Sequence, residues 1–211
     1  MIYDYDPTNE EHVAAIHRIY APYVSGEVWR TSWEFTTPDP IALRDRLVEI
    51  MSKGYPILVL LDPKAPHALW GYAYATAYRT RDAYRWTCES AIYLCKSVQG
   101  KGMGTVLYKA LLDRLRSLGY RTVVGCIGVP NEVSVKLHKK CGFTHCGTLP
   151  NAGWKNGESL TLATYAIVLD NQQWNAAAPD DKNKKPLDGK TESRNGGILL
   201  NPPRPYIRSK F

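Results

Sequence analysis

VQGKGMGTVLYKALLDRLRSLGY, Val98 to Tyr120, places glycines at 100, 102 and 104 and then runs into a helix without a break. Glycine at a helix start costs roughly 0.5–1 kcal/mol against alanine, so something there requires bare backbone. Leu107, Leu111, Leu115 and Leu118 recur on one helical face and predict burial, and Gly119 marks the helix end. The residues before the glycines, Trp86 to Leu94, read as a strand, and Thr122 to Ile127 after the helix reads as a second, buried strand. A glycine-rich turn between strand and helix is the place where unpaired backbone N–H groups and the positive dipole end of a helix face an anion.

Three phosphate-binding patterns compete for this loop. The P-loop requires Ser or Thr after Gly-Lys, but Gly102 follows Gly100-Lys101. A dinucleotide fingerprint requires G-x-G-x-x-G in the first βαβ unit, whereas the spacing here is G-x-G-x-G, late in the chain. Q-x-x-G-x-G is satisfied by Gln99, Gly102 and Gly104. Glycines serving only a tight turn are the plain structural alternative.

Outward from the loop, strands and helices alternate. Ile2 to Tyr5 is a short strand, and Thr8 with Glu11 predicts a capping box for a helix carrying Val13, Ile16 and Tyr20 on one face. Asp39-Pro40 starts a second helix with Leu43, Leu47 and Ile50, stopped by Gly54. Ile57 to Leu61, the turn DPKAPH and LWGYAYATAY form a hairpin. Asn131 to Lys140 is a short helix closed by Gly142, followed by strands at Thr144 to Leu149 and Thr161 to Leu169. One α/β domain over 1–170 is expected, with a tail over 171–211. NAAAPDDKNKKPLDGKTESRNGG in the tail has little to bury and predicts disorder, while ILLNPPRPYI, 198–207, offers a possible anchor.

Composition narrows the function classes. The 211 residues are 44% hydrophobic, enough for one core, with no apolar run long enough for a membrane span and no basic-plus-apolar leader. The net charge of +7 suggests nucleic acid until it is located: residues 171–211 hold eight Lys or Arg against four Asp or Glu, leaving 19 against 16 before them. The domain itself therefore lacks a strongly basic face. Five cysteines without C-x-x-C spacing predict neither a disulfide framework nor a redox pair, and a reducing, cytoplasmic setting fits. His138, Cys141, His145 and Cys146 match no zinc spacing, and no metal is expected.

Q-x-x-G-x-G after a strand, a leucine-faced helix, an apolar strand, and Asn131 opening a helix that ends Cys-Gly-Phe resemble the acetyl-CoA motif of the GNAT superfamily. AYRWTCESAIYL, QGKGMGTVLYKALL and GVPNEVSVKLHKKCGF are similar to its phosphinothricin N-acetyltransferase subgroup. The likeness runs from about Gly71 to Gly157. It implies a GNAT fold, a mixed central sheet flanked by helices, in which the strands at Glu89 to Leu94 and Thr122 to Ile127 splay to admit acetyl-CoA as co-substrate. Backbone near Ile92, Tyr93 and Leu94 would pair with the pantetheine arm. Gln99, Gly100, Lys101, Gly102, Met103, Gly104 and Thr105 would hold the pyrophosphate, with Asn131 and Ser134 on the other side. Without the family, Asn131 is a good helix cap.

Acetylation of an amine needs its neutral form, hence a base. Glu89 sits in an otherwise apolar or weakly polar strand, where a carboxylate is costly unless it faces a wet cleft, and the resemblance implies that it is the base. The family position that supplies a proton donor for the departing thiolate is His138 here, with Tyr93 as an alternative. A covalent route through Cys88 or Cys95 has no adjacent base to activate the thiol. In AYRTRDAY, Arg79 and Arg81 lie two apart and would face one side of an extended segment. The resemblance implies that they and Tyr84 engage an anionic group of the substrate, with Trp33 and Tyr93 lining the pocket. The chain departs from the family after AGWKNG, at Ser159 and Thr161-Leu162, and at Lys139, where the family has Glu. The expected partner is a small-molecule amine, an acidic amino acid or analogue, with no nucleic acid or membrane and with room for a homodimer. Another amine, such as a polyamine, amino sugar or peptide terminus, and a non-catalytic CoA-binding module remain the alternatives.

Overall fold

The computed structural model describes residues 1–27 and 32–169. The tail and its 198–207 segment lie outside the described residues. In chain order the elements are β1 (Ile2–Asp4), α1 (Glu10–Ser25), α2 (Pro40–Ser52), β2 (Ile57–Asp62), β3 (Ala65–Ala77), β4 (Thr87–Leu94), α3 (Met103–Ser117), β5 (Thr122–Val129), α4 (Glu132–Lys140), β6 (Thr144–Lys155) and β7 (Glu158–Val168).

The seven strands form one sheet in the order β1-β2-β3-β4-β5-β7-β6, antiparallel except where β4 meets β5. Alternation in β2 sends its side chains to two cores. Leu58 and Leu60 join Leu107, Tyr108, Leu111 and Leu115 of α3 on one face, while Ile57, Val59 and Leu61 join Ile16, Ile19 and Tyr20 of α1 and Leu43 and Leu47 of α2 on the other. The two flanking layers explain why the central strands lack a polar face.

The parallel pairing runs only from Thr87↔Thr122 to Ser90↔Gly125. Beyond that point β4 continues as Ala91–Leu94 paired with β3, and β5 continues as Cys126–Val129 paired with β7, with no pairing between them. The expected splay is therefore present and its vertex is the Ser90–Gly125 pair.

Some expectations change. Asn9, not Thr8, caps α1: its Oδ1 accepts from the N–H groups of Glu11 and His12 at 3.0 and 3.2 Å, while Thr8 donates to Asp6. An Asn and a Thr side by side are both competent caps, and only the local turn chooses. The turn between β2 and β3 is shorter than DPKAPH, since β3 begins at Ala65. Leu118 is 36% exposed, and Tyr108 and Leu112 complete the buried face of α3 instead. β6 runs on past the expected Leu149 to Lys155, β7 starts earlier, at Glu158, and ends at Val168, and the two meet at a tight turn around Asn156 and Gly157, which have φ of 51° and 79°.

Candidate active site

A cleft of about 300 Å³ opens where β4 and β5 part. Its walls come from α1 (Tyr20, Tyr23), the Ser32–Glu34 segment, the diverging ends of β4 and β5, and α4.

Glu89 of β4 lines the cleft. Burial raises its carboxyl pKa, partly offset by a hydrogen bond from the Cys126 thiol of β5. Burial, together with Glu89 as a charge and as a hydrogen-bond partner, pushes that thiol up to about 12, so Cys126 is a thiol donor and not a nucleophile. Cys88 is fully buried and likewise pushed up to about 12 by desolvation.

Next along the strand, Ser90 starts a buried polar chain. Its hydroxyl lies 2.8 Å from the Tyr108 hydroxyl and 3.2 Å from Val124 O, and the Tyr108 hydroxyl lies 3.0 Å from His138 Nε2. His138 Nδ1 is 2.8 Å from Ser134 O. A carbonyl only accepts, so the ring proton sits on Nδ1, and Nε2 accepts from Tyr108. Burial lowers the pKa of the ring. In the neutral ring the expected proton donor is thus an acceptor at Nε2, and donation there requires an imidazolium that desolvation opposes. Gly125 makes this packing feasible, because a Cβ there would come within 2.4 Å of His138 Nε2.

At the far end of β4, the Tyr23 hydroxyl donates to Leu94 O at 2.7 Å and accepts from Leu94 N–H at 3.0 Å. Gln99 Nε2 donates to both Tyr23 Oη and Leu94 O, at 3.0 and 3.1 Å. Gln99 therefore ties the loop to the end of the strand, and the backbone of Leu94 is already satisfied. Ile92 and Tyr93 also line the cleft; the Tyr93 ring packs edge-on against Tyr20 and Tyr23 and stacks on Tyr72.

The glycines divide by role. Gly100 and Gly102 have φ of 74° and 82°, and a Cβ on either would meet nothing within 4 Å, so their backbone faces open space. Gly104 has ordinary φ, but a Cβ would lie 3.0 Å from Leu94 Cδ1 and 3.5 Å from Leu137 Cδ2, where α3 packs against β4 and α4. No side chain caps α3, and its first backbone bonds run from Thr105 and Val106 to Gly102 O. The N–H groups of Met103 and Gly104 thus precede the helix's own ladder. Lys101 beside them is exposed. On the opposite wall Asn131 caps α4 by accepting from Ser134 N–H at 3.1 Å, and both residues line the cleft.

The substrate-side residues do not all converge. Trp33 lines the cleft, but Arg79, Arg81 and Tyr84 do not. Both arginines are exposed, and Arg79 lies over the rings of Tyr78 and Tyr84 at 5.1 and 5.5 Å. Thr76 pairs with Glu89 in the sheet, so the arginines follow three and five residues beyond that pairing, outside the mouth. The charged residues of the described lining are Glu34 and Glu89. Glu34 accepts from the Tyr20 hydroxyl at 2.8 Å and pairs with Arg46 at 2.6 Å. The sequence placed Tyr20 only on a helix face and did not single out Tyr23, Glu34, Arg46 or Tyr108; the roles of all five exist only through contacts distant in the chain. Among the described residues no group of three or more His, Cys, Asp or Glu is arranged to hold a metal, and no helix is long and apolar enough to cross a membrane.

The glycine loop, the split strands and α4 fall within a stretch that is similar to known proteins. The model of the acetyltransferase (GNAT) family matches residues 13–143. Phosphinothricin N-acetyltransferase of Alcaligenes faecalis is 35% identical over 149 residues, 70% of this chain and 73% of that protein. L-methionine sulfoximine/L-methionine sulfone acetyltransferase of Pseudomonas aeruginosa is 35% identical over 135 residues, 64% of this chain and 77% of that one. Among solved structures, a phosphinothricin acetyltransferase from Sinorhizobium meliloti in complex with acetyl-CoA is 32% identical, with a TM-score of 0.76 covering 86% of this chain and 93% of that one. The family model spans more than half of the chain and includes the glycine loop, the splayed strands and α4, and on that ground the chain belongs to the GNAT acetyltransferase family.

Proposed function

We propose that the protein transfers the acetyl group of acetyl-CoA to the amine of a small amino-acid analogue of the phosphinothricin or methionine sulfoximine kind, by direct attack. The observation that carries this reading is the position of Glu89, a half-buried carboxylate that lines the cleft one residue before the vertex of a split sheet. Acetyl-CoA would enter along the gap, its pyrophosphate against Gly100 to Thr105 and its pantetheine arm beside Ile92 and Tyr93. Asn131 and Ser134 would form the opposite wall. Glu89 takes the proton from the ammonium, directly or through water, and the freed nitrogen attacks the thioester carbon. The C–N bond forms, the C–S bond breaks, the nitrogen gives up its second proton to water, and CoA leaves as thiolate, which takes a proton from water in turn. His138 would serve that last step only as imidazolium; its hydrogen bonds suit it better to holding α4 against α3.

Trp33 and Tyr93 would frame the amine side. Arg79 and Arg81 would meet an anionic group of the substrate only at the rim, where solvent screens them, so their selectivity is modest. A reducing, cytoplasmic setting suits five free cysteines, and a homodimer would cover the exposed Leu149, Trp154 and Val168 of the β6–β7 hairpin; light scattering of the purified protein reads that assembly directly.

The test is Glu89→Gln. Turnover of the amine should fall by about 10²-fold or more, with acetyl-CoA affinity by calorimetry nearly unchanged. Unimpaired turnover would remove Glu89 from the mechanism.

A further inference from the structure

β6 is one of the two edge strands of the sheet and most of its side chains are exposed, yet its last residue is a lysine only 4% exposed. Lys155 Nζ donates to Val24 O at 2.8 Å and to Ser32 O at 2.9 Å. Burying an ammonium is costly unless its protons are satisfied, and here two carbonyls more than 120 residues away satisfy them. One carbonyl closes the last turn of α1. The other begins the segment that forms one wall of the cleft.

Two residues earlier on the same side of β6, Gly153 meets that wall as well. A Cβ at 153 would come within 2.5 Å of Trp33 Cζ3 and 2.9 Å of Trp33 Cε3, so the indole lies against bare backbone. Ser32, Trp33 and Glu34 are consecutive and all line the cleft. Within the segment Glu34 N–H donates to Ser32 Oγ at 3.2 Å, and from the other side Tyr20 donates to one oxygen of Glu34 and Arg46 pairs with the other. The wall is therefore gripped from two directions, by α1 and α2 through side chains and by β6 through Lys155 and Gly153.

We propose that Lys155 and Gly153 are positioning residues that set the amine-side wall of the cleft, so that the β6–β7 hairpin decides the size of substrate accepted. The inference rests on the acetyl-transfer reading of the cleft. Neither residue reaches the glycine loop, so the predicted effect falls on the amine and spares acetyl-CoA. Lys155 holds the backbone of Ser32, and Gly153 sets how deeply the Trp33 ring retreats. Loss of the first loosens the wall; a side chain at the second drives the indole from its seat.

The experiment compares Lys155→Met and Gly153→Ala with the wild type by hydrogen exchange over Ser32–Glu34, by calorimetry with acetyl-CoA, and by steady-state kinetics with phosphinothricin and methionine sulfoximine. Lys155→Met should speed exchange over Ser32–Glu34 by about tenfold or more. Both variants should raise the amine KM about tenfold and leave the acetyl-CoA Kd within about twofold. Gly153→Ala keeps the buried lysine and so remains informative if Lys155→Met fails to fold. Unchanged exchange in a folded Lys155→Met overturns the inference whatever the activity. So does an unchanged amine KM in Gly153→Ala, or an equal loss of amine and acetyl-CoA affinity. A wild type that turns over neither amine defeats the functional reading instead, and the exchange measurement then decides the role of Lys155 alone.

Discussion

Glu89 and His138 sit on neighbouring elements of one cleft, and burial acts on them in opposite directions: it raises the carboxyl pKa and lowers the imidazole pKa. A base whose pKa is raised loses activity at a higher pH than an ordinary glutamate would, so the acid limb of kcat/KM should lie above about 4.3 and vanish in Glu89→Gln. His138 affects stability. Its folded pKa lies below the ordinary value of 6.5, so at mildly acid pH the unfolded chain binds the extra proton. The contribution is fully present above about 6.5 and is lost as the pH falls from there towards the folded value. Urea titrations at pH 7 and pH 5 should therefore show a smaller loss of stability in His138→Asn than in the wild type. The same variant should keep more turnover than Glu89→Gln; a larger loss would restore His138 as the proton donor. Glu89 was legible in the sequence because a carboxylate inside an apolar strand has few places to go. The tautomer of His138 was not, because it is fixed jointly by the Ser134 carbonyl one turn earlier in α4 and by Tyr108, which only the packing of α3 against α4 brings to Nε2.

The glycine loop shows what an element yields to sequence reading and what it withholds. Spacing located the strand–loop–helix unit, but three glycines that look equivalent in sequence meet two different needs. Gly100 and Gly102 require left-handed backbone, whereas Gly104 requires room beside Leu94 and Leu137. Gly102→Val strains the turn and adds bulk over the N–H groups at the start of α3. It should weaken acetyl-CoA binding by at least about tenfold, measured by calorimetry, with a smaller effect on the amine KM. Unchanged acetyl-CoA affinity would detach the loop from the cofactor. The β6–β7 hairpin is the element least visible in sequence. Its central stretch, NAGWKNGES, reads as a loop by composition, because an edge strand with solvent on both sides shows no alternation. That is also why Lys155, quoted only as part of a motif, gave no hint of its burial.

For the whole molecule, the succession of strands and helices was expected from hydrophobic periods and the splay from the family resemblance, whereas composition suggested one core and the sheet has one on each face; the cleft wall made by α1, α2 and β6 was not expected, since it joins segments far apart in the chain. At the end of the described residues, Leu169 is 2% exposed and its N–H donates to Arg121 O at 2.7 Å. A chain ended just after it should fold and bind acetyl-CoA with unchanged affinity, whereas failure of that truncation would show that residues beyond it are needed. Arg79→Ala with Arg81→Ala should raise the KM for an acidic amine only about two- to fivefold, as expected of screened surface charges.

The short parallel pairing has a mechanical meaning. Between the β1–β4 half of the sheet and the β5–β7 half, the strand pairing is four residue pairs, Thr87–Ser90 with Thr122–Gly125, and beside it the N–H groups of Arg121 and Thr122 donate to Trp86 O. Such a seam is a living hinge, and a ligand lying in the fork is a splint across it. Acetyl-CoA should then slow amide exchange in Cys126–Val129 and Ala91–Tyr93 together, and under an optical trap the loaded protein should yield at a higher force than the empty one, with the difference concentrated in the step that parts the two halves.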